Sequence, residues 1–462
     1  MDAVPRRCGY NQRMDAADAA RSAAAVLVLV DPTSTARSIA TEASSRGVST
    51  MALWSTCAPL RDQIYSAEIV ARASIEETAD AVRLAADAAS ITVLPGSDDG
   101  VPLADSVSRH LLVPIASGCR GLCNGHRQSK HEQHHALSSA GMRACRGVTG
   151  FDWNESMEEL CATSRSVVVK LDEGTGSEGV RLCKSAAEAR AHFEWLMRHQ
   201  RRSGGERRAA IVQEFLEGRE FVVDTVSRQG VHKVVMIWRY DKRRVADYEF
   251  IYFGETPLAA DVVEARVLMQ YVREALTAVG VQTGPCHTEV ILLAAEDDAP
   301  CLVEVNLRCH GGSGVWVPLA ERLVGYSQVS VAVDACVAPH RFDALPHEPP
   351  SPLAGGGAFL CLVSYARGRV VATPGYEHLR TLPSFISLNP MGVAIGSDVE
   401  VTSDLATLIG MVVLSHASEA VVAADVATVR ELEAHGRLVE LARDYDTKST
   451  LGAVRRRKVG FG

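Results

Sequence analysis

The chain has 462 residues and a formal net charge of −8. This length predicts two to four packed subdomains, and the acidic balance argues against a nucleic-acid partner or a basic membrane-binding patch. The apolar run at residues 23–30 is too short to cross a membrane and lacks a cleavage site. The twelve cysteines do not follow the spacing of a disulfide framework, so we expect reduced thiols and a cytoplasmic protein.

The predicted elements begin after an irregular extension, residues 1–23, in which Met14 is an alternative start to Met1. Residues 24–127 predict an N-terminal α/β domain, because short apolar runs alternate with helical segments. One of these helices opens with a capping-box pattern at Ser74 and Glu77 and runs to residue 89. The predicted strands are 26–30, 51–54, 91–94 and 111–115. Their repetition predicts a parallel sheet covered on both faces.

Two further α+β units are predicted before a proline-rich boundary. Residues 128–209 contain a polar helix at 129–140, a short strand at 180–183 and a helix that opens at Ser185 and Glu188. Residues 210–345 predict a largely antiparallel sheet and a helix at 261–279. The strands of that sheet are predicted at 210–215, 220–227, 231–240, 289–293 and 301–305. Residues 346–462 predict a small α+β subdomain with a final helix near 427–443.

A glycine-bearing loop follows an apolar strand that ends in a lysine. Three valines precede Lys170, and the next small residues of the loop are Gly174, Gly176, Ser177 and Gly179. Such a loop can fold backbone N–H groups over phosphates, while a lysine at the end of a strand neutralises their charge. Because Lys170 follows a buried-type strand, an exposed surface role is a poor explanation for it. This segment therefore predicts binding of a nucleoside triphosphate.

Paired acids on two predicted neighbouring strands indicate a magnesium site. Glu304, Asn306 and Arg308 share one face of their strand, because side chains alternate along an extended chain. Glu289 can reach the same side from the neighbouring strand. Two carboxylates and an amide oxygen suit Mg²⁺, whereas the same acids buried without a cation are strongly disfavoured.

The order of these motifs resembles that of the ATP-grasp superfamily of carboxylate–amine ligases. The segments Val-Leu-Val-Asp31-Pro-Thr-Ser and Val-Glu304-Val-Asn-Leu-Arg308-Cys-His310-Gly-Gly are similar to L-amino-acid ligases, which make dipeptides, and to carnosine-synthase-like enzymes. The resemblance implies an N-terminal parallel α/β (pre-ATP-grasp) domain, a two-lobed α+β ATP-binding region and a small C-terminal α+β domain. It is also compatible with a homodimer.

The resemblance assigns nucleotide-binding roles to two lysines and to a hinge. Lys130 corresponds to the family lysine that reaches the α-phosphate, although alone it reads as a solvated helix lysine, and Lys170 corresponds to the second lysine. The hinge residues are Gln213, Glu214, Phe215, Leu216 and Glu220. By resemblance, Phe215 and Leu216 pack on adenine and Glu220 binds the ribose. Many relatives carry glutamate where Gln213 stands, so Gln213 and Glu214 compete for the adenine amino group.

The chemistry implied by the resemblance is ATP-dependent amide formation. A substrate carboxylate attacks the γ-phosphate of ATP, and an amine then attacks the acyl phosphate, so that ADP and phosphate are released. Mg²⁺ is the expected cofactor, with two ions and possible replacement by Mn²⁺. Arg308 and Lys170 are the expected catalytic residues. Two alternatives are a ligase for a carboxylate or amine that is not an amino acid, and an inactive ATP-binding scaffold.

Substrate contacts are predicted at His287, His310, Gly311, Gly312 and Arg243. His287 is equally well explained as a hydrogen-bonded core histidine, and the segment around Arg243 as an ordinary half-exposed hairpin. A zinc site is a weaker prediction, because its spacing fits no standard module and Lys130 would repel a second cation. The residues concerned are Cys119, Cys123, His126, His131, His134 and His135.

Overall fold

The N-terminal sheet consists of four parallel strands in the order β3-β2-β1-β4. The computed structural model describes residues 25–56, 64–87, 90–111, 129–174, 176, 179–199, 208–246 and 248–442. The strands of this sheet are β1 (Ala25–Val30), β2 (Ser49–Trp54), β3 (Ala67–Val70) and β4 (Ser90–Pro95), and its helices are α1 (Ala36–Ser45), α2 (Ile75–Ala86) and α3 (Val101–Leu111). Alternate residues of β1 belong to two different hydrophobic clusters, so the sheet is covered on both faces, as predicted.

Two sequence predictions in this domain are wrong. Leu111, predicted to open a strand, ends α3, and residues 112–115 lie outside the described part of the chain. The sheet takes its fourth strand from β3, which has only four residues and gives too short an alternation to be recognised. The helix after Ser74 begins as predicted, with the Ser74 side chain accepting from the N–H of Glu77, but it ends at Ala86 because Asp87 adopts a left-handed conformation.

The second unit is a four-stranded antiparallel sheet in the order β5-β8-β6-β7. Its elements are α4 (Lys130–Ser139), β5 (Gly147–Gly150), α5 (Glu155–Thr163), β6 (Val167–Leu171), β7 (Arg181–Cys183), α6 (Ala186–His199) and β8 (Ala210–Glu214). The sequence placed β8 in the larger sheet, and this was wrong: β8 pairs with β5 and β6. A strand pattern does not identify the strand that it pairs with.

The largest sheet has eight strands in the order β13-β12-β9-β10-β11-β14-β18-β16. Its first five strands along the chain are β9 (Gly218–Arg228), β10 (Val231–Val245), β11 (Tyr248–Pro257), β12 (Gly284–Leu293) and β13 (Ala299–Asn306). The helix α7 (Val263–Val279) connects β11 to β12. Three helices follow: α8 (Val317–Val324), α9 (Gln328–Val337) and α10 (Pro339–Ala344). The α7 helix packs its apolar face against β9, β10 and β13.

The C-terminal segment extends this sheet. Its elements are β14 (Gly356–Leu362), β15 (Gly368–Ala372), α11 (Pro374–Arg380), β16 (Phe385–Asn389), β17 (Asp398–Val399), β18 (Gly410–His416), α12 (Glu419–Ala434) and β19 (Glu440–Leu441). Strand β14 pairs with β11, while β15, β17 and β19 form a separate small sheet. The final helix lies at 419–434 and not at the predicted 427–443. The five predicted domain ranges remain predictions.

No helix among the described residues is both long and apolar enough to span a bilayer. None of the eight cysteines in the described part of the chain is joined to another by a disulfide, and six of them are buried. Cys119 and Cys123 lie outside that part.

Candidate active site

A cavity of about 700 Å³ is lined by all three larger units of the chain. Most of the predicted site residues line it, and these are Lys130, Lys170, Gly174, Gly176, Gln213, Glu214, Phe215, Leu216, Glu220, His287, Glu289, Glu304, Asn306, Arg308, His310, Gly311 and Gly312. Gly179 and Arg243 are not among the lining residues, and Ser177 lies outside the described residues. The cavity therefore gathers side chains that are more than 170 positions apart in the sequence.

The predicted magnesium ligands lie together on β12 and β13. Glu289 is the cross-strand neighbour of Glu304, and His287 is the neighbour of Asn306, so these side chains occupy one face of the sheet. The amide nitrogen Nδ2 of Asn306 lies 3.3 Å from Oε1 of Glu304. Two carboxylates and a side-chain amide thus lie next to one another, and their oxygens are of the kind that Mg²⁺ prefers as ligands.

Buried cations accompany these acids. Nζ of Lys130 lies 2.6 Å from Oε2 of Glu304 and donates to the carbonyl oxygen of Gly174 at 2.8 Å. Burial alone raises the pKa of both Glu304 and Glu289, but Lys130 and Lys242, respectively, hold each pKa below its ordinary value. The pKa of Lys170 is lowered by burial and by neighbouring Lys130. The end of β6, α4 and the acid pair thus form one electrostatic unit.

Lys242 is a functional candidate that the sequence analysis missed. Its ammonium lies 2.5 Å from Glu220 and 3.3 Å from Glu289, and 4.5 Å from the ring centroids of Tyr240 and Tyr252. Burial raises the pKa of Glu220 to about 7, against the opposing effect of Lys242. Glu220, expected at the ribose, therefore also contacts the lysine beside the metal-binding acids.

Arg243, the predicted substrate contact, lies outside the cavity. Its guanidinium pairs with Asp241 at 2.6 Å, and its side chain is 50% exposed. The β10–β11 pairing shifts register between Asp241 and Lys242. The residue left without a partner is Phe253 on β11, so the alternation of side chains along β10 is unbroken. Lys242 therefore shares the cavity face with Tyr240, whereas Arg243 belongs to the opposite face.

The hinge residues differ in how they are bonded. Glu214 accepts hydrogen bonds from Arg143 at 2.8 Å and from Arg146 at 2.9 Å. Gln213 is buried, and its Nε2 has no hydrogen-bond partner among the residues described. Leu216 belongs to a small apolar cluster with Ile291. The structure thus brings the hinge to the cavity wall and leaves the amide of Gln213 with unused hydrogen-bonding capacity.

Arg308 connects β13 to the N-terminal domain. Its Nη2 donates to Asp98 at 2.8 Å, and its buried Nε has no acceptor in the described structure. Asp98 also lines the cavity and was missed by the sequence analysis. A signal was present, because Asp98 follows Pro95-Gly-Ser at the carboxyl end of β4, where ligands of parallel sheets commonly bind.

His287 and His310 share a buried partner, Asp224. His287 Nδ1 lies 3.1 Å from Asp224 Oδ1 and His310 Nδ1 lies 2.9 Å from Asp224 Oδ2, while Trp238 Nε1 donates to the same carboxylate at 2.7 Å. His287 Nε2 is 3.1 Å from the hydroxyl of Tyr240. Asp224, His287 and His310 lie close enough together to hold a metal ion, but the hydrogen bonds of the two histidines to Asp224 already account for the arrangement. His287 therefore fits the alternative of a hydrogen-bonded core histidine.

The predicted zinc cluster receives no support from the described residues. Cys119, Cys123 and His126 lie outside them, and no group of potential metal ligands found in the described part includes the histidines of α4. His134 is buried, and burial together with Lys170 and Lys130 lowers its pKa to about 3. A neutral imidazole beside two lysines is a poor indication of a zinc centre.

Residues 163–316 match the family model of the ATP-grasp domain. The chain contains an ATP-grasp domain. Dapdiamide A synthase of Enterobacter agglomerans is 24% identical over 356 residues, which cover 74% of this chain and 79% of that protein. The L-amino acid ligase structure from Bacillus licheniformis aligns with a TM-score of 0.71 and 17% identity, covering 91% of this chain and 99% of the ligase.

An ADP complex of N5-carboxyaminoimidazole ribonucleotide synthetase aligns with a TM-score of 0.64 and 15% identity, over 88% of this chain and 96% of that structure. These similarities confirm the predicted ATP-grasp architecture, including the parallel N-terminal sheet and the large antiparallel sheet. They also confirm the resemblance to the L-amino-acid ligase group. ATP binding is typical of this fold, and Mg²⁺ usually accompanies it.

Proposed function

We propose that this protein is an ATP-dependent ligase that joins the carboxylate of an amino acid to an amine, most simply that of a second amino acid. The observation that carries the proposal is the convergence of Glu289, Glu304, Asn306 and Arg308 with Lys130 and Lys170 in one cavity. Similarity to a dapdiamide A synthase and the shared fold of an L-amino acid ligase support the same reaction. The prediction from the sequence and the comparisons agree on this activity.

ATP fits the end of the cavity that β6, β8 and β9 line. Gly174 and Gly176 bring backbone close to the phosphates, Lys130 and Lys170 supply positive charge, and adenine lies against the hinge. The carboxylate of Glu214 is engaged by two arginines, which favours the side-chain oxygen of Gln213 as the acceptor for the adenine amino group. The unbonded Nε2 of Gln213 is a donor, so it would suit a ring nitrogen of the base. Glu220 is the proposed ribose contact.

Glu289, Glu304 and Asn306 would hold Mg²⁺, which neutralises phosphate charge when bound. We propose two ions, replaceable by Mn²⁺. The two carboxylates remain ionised because Lys130 and Lys242 lie against them. The protein thus presents an anionic site between cationic groups, an arrangement that orients a metal–triphosphate complex.

In the proposed reaction, a carboxylate oxygen of the first substrate attacks the γ-phosphorus. The bond from that phosphorus to the bridging oxygen breaks, and ADP leaves with its electron pair. The amine nitrogen then attacks the acyl carbon, phosphate leaves, and the nitrogen loses a proton. We assign to Arg308 the stabilisation of the negative charge of the transferring phosphoryl group. No enzyme nucleophile is required, because the substrate carboxylate fills that role.

The test is ADP and phosphate release from Mg²⁺·ATP in the presence of amino acids, singly and in pairs, with mass spectrometry of the products. We expect phosphate release to depend on amino acids and to coincide with a dipeptide mass. Release with a different carboxylic acid only would favour the alternative substrate class. Tight ATP binding without release under all conditions would show that the protein is a scaffold. A homodimer remains a prediction that sedimentation would test.

A further inference from the structure

One row of side chains crosses three strands of the large sheet beside the metal-binding acids. Tyr240 on β10 is opposite Glu255 on β11, and Glu255 is opposite Phe359 on β14. Two residues further along β14, Cys361 is opposite Met411 on β18. Residues paired across strands point to the same face, and all five line the cavity. This end of the cavity therefore has one carboxylate, that of Glu255, next to an apolar floor formed by Phe359, Cys361 and Met411.

The carboxylate of Glu255 is buried, and only one of its two oxygens has a hydrogen-bond partner among the described residues. Its Oε1 lies 3.1 Å from Nε2 of His310, whereas its Oε2 has no hydrogen-bond partner in the described residues. The residue is 6% exposed. A buried charged oxygen without a donor is costly, so this atom indicates a site for a donor that the protein itself does not provide.

The charges around Glu255 specify the kind of donor. Burial lowers the pKa of His310, but Glu255 and Asp224 outweigh burial and raise it to about 10, so this imidazole is a cation at neutral pH. One cation therefore lies between two carboxylates, and the group keeps a net negative charge. A positively charged ligand group offsets that surplus, while a second anion would increase it.

We propose that Glu255 binds the ammonium group of the amino acid whose carboxylate is activated, and that Phe359, Cys361 and Met411 receive its neutral, apolar side chain. This proposal rests on the ligase function proposed above. It makes Glu255 a positioning and specificity-determining residue for the carboxylate donor.

Chemistry separates the donor from the acceptor. The acceptor amine must have a free electron pair to attack the acyl phosphate, and an amine held as ammonium against a buried carboxylate has none. The ammonium at Glu255 therefore belongs to the substrate that is not the nucleophile. The same contact keeps the donor's own nitrogen from reacting, so this amino acid becomes the N-terminal residue of the product.

The floor favours particular side chains. Phe359, Cys361 and Met411 are each less than 5% exposed and offer no partner for a charge. A β-carbon on Gly312 would lie 3.2 Å from the ring of Phe359, so the loop after His310 approaches this ring closely and limits its movement. Neutral apolar side chains fit such a wall, whereas aspartate or lysine side chains would lose hydration without compensation.

The experiment measures binding, so it does not depend on turnover. L-alanine, L-valine, L-leucine and L-methionine, and the matching carboxylic acids that lack the amino group, are titrated calorimetrically into the protein with Mg²⁺ and a nonhydrolysable ATP analogue. In the wild type, we expect at least one amino acid to bind about 10–100-fold more tightly than its desamino analogue, as a charge-assisted hydrogen bond predicts. Equal affinities, or no binding of any of these amino acids, would overturn the proposal without the need for a variant.

Glu255→Gln should weaken binding of the amino acid about 10–100-fold and leave the desamino analogue within about threefold. Glu249→Gln is the matched control, because Glu249 lies on the same strand but does not line the cavity. Unchanged affinity in Glu255→Gln, or equal loss for both ligands, would contradict the assigned role, and ATP-analogue affinity checks that the variant is folded. Phosphate release is measured separately: selective binding without ligation would refute the proposed function and leave the ammonium site standing.

Discussion

Replacing Lys242 with methionine gives a sharp test of the electrostatics around the acid pair. The ammonium of Lys242 is the buried cation that touches both Glu220 and Glu289, and its side chain is 13% exposed. Methionine keeps most of the packing between Tyr240 and Tyr252 but removes the charge. Two buried carboxylates would then face each other without that cation.

The expected magnitude follows from the low exposure of the three side chains, which is 13% for Lys242, 16% for Glu220 and 7% for Glu289. Removing one partner of a buried ion pair typically costs about 3–5 kcal/mol, because the remaining charge is left uncompensated. In a unit of about 150–250 residues, this corresponds to a fall in Tm of roughly 6–20 °C. Work at pH 8 keeps the Glu220 carboxylate mostly ionised in the wild type, since burial sets its pKa to about 7.

Differential scanning calorimetry of Lys242→Met and of the double variant Lys242→Met/Glu220→Gln measures the effect. We expect the double variant to regain part of the lost Tm, because it removes the carboxylate that must otherwise take up a proton or remain charged beside Glu289. Mg²⁺ with an ATP analogue should stabilise Lys242→Met more than the wild type, since the metal ion replaces the positive charge that Glu289 loses when Lys242 is removed. A Tm within about 2 °C of the wild type, or no recovery in the double variant, would refute this account.

Three other outcomes are expected. Arg308→Ala should lower product formation by at least about 100-fold while ATP affinity changes by less than about tenfold. The control Arg243→Ala, measured in the same ADP-release assay, should keep both product formation and ATP affinity close to the wild-type values. Equal losses in both variants would remove the special role of Arg308. Glu304→Gln should raise the Mg²⁺ concentration needed for half-maximal ATP binding, and an unchanged metal requirement would exclude Glu304 as a ligand. The His310 pKa is raised from 6.5 to about 10 on folding, so its stabilising effect is complete below pH 6.5 and declines as pH rises to about 10; urea unfolding from pH 6 to 10.5 should show this decline in the wild type and not in His310→Gln.

Much of the architecture could be predicted because its signals are local. Alternation along Glu304-Val-Asn306 places two potential ligands on one face, and three valines before Lys170 indicate a buried strand. Helix α4 begins close to its predicted start, and the side chain of Ser129 accepts a hydrogen bond from the N–H of Glu132. Each of these features is determined by residues within about four positions of one another.

The parts that the sequence did not reveal depend on long-range pairing. The presence of both Tyr252 and Glu255 in the cavity wall depends on a bulge in β11, and the position of Glu255 beside Phe359 depends on pairing between β11 and β14, about a hundred residues apart. Nothing in the sequence around Asp224 indicates its role, because its partners His287 and His310 lie more than sixty positions further along the chain. Neither a register shift nor a sheet neighbour is encoded by the periodicity of a single strand.

The proposed substrate floor and the proposed nucleotide and metal contacts lie on different parts of the chain. The proposed nucleotide and metal contacts come from α4, β6, β8, β9, β12, β13 and the loops that follow β6 and β8, whereas Phe359, Cys361 and Met411 come from the strands that extend the large sheet after residue 355. Glu255 stands on β11, the strand where these two parts meet. Substitutions in the C-terminal strands can therefore change the shape of the proposed substrate floor while the acid pair and its lysines keep their positions. The eight-stranded sheet thus carries the proposed metal ligands at one end and the variable substrate floor at the other.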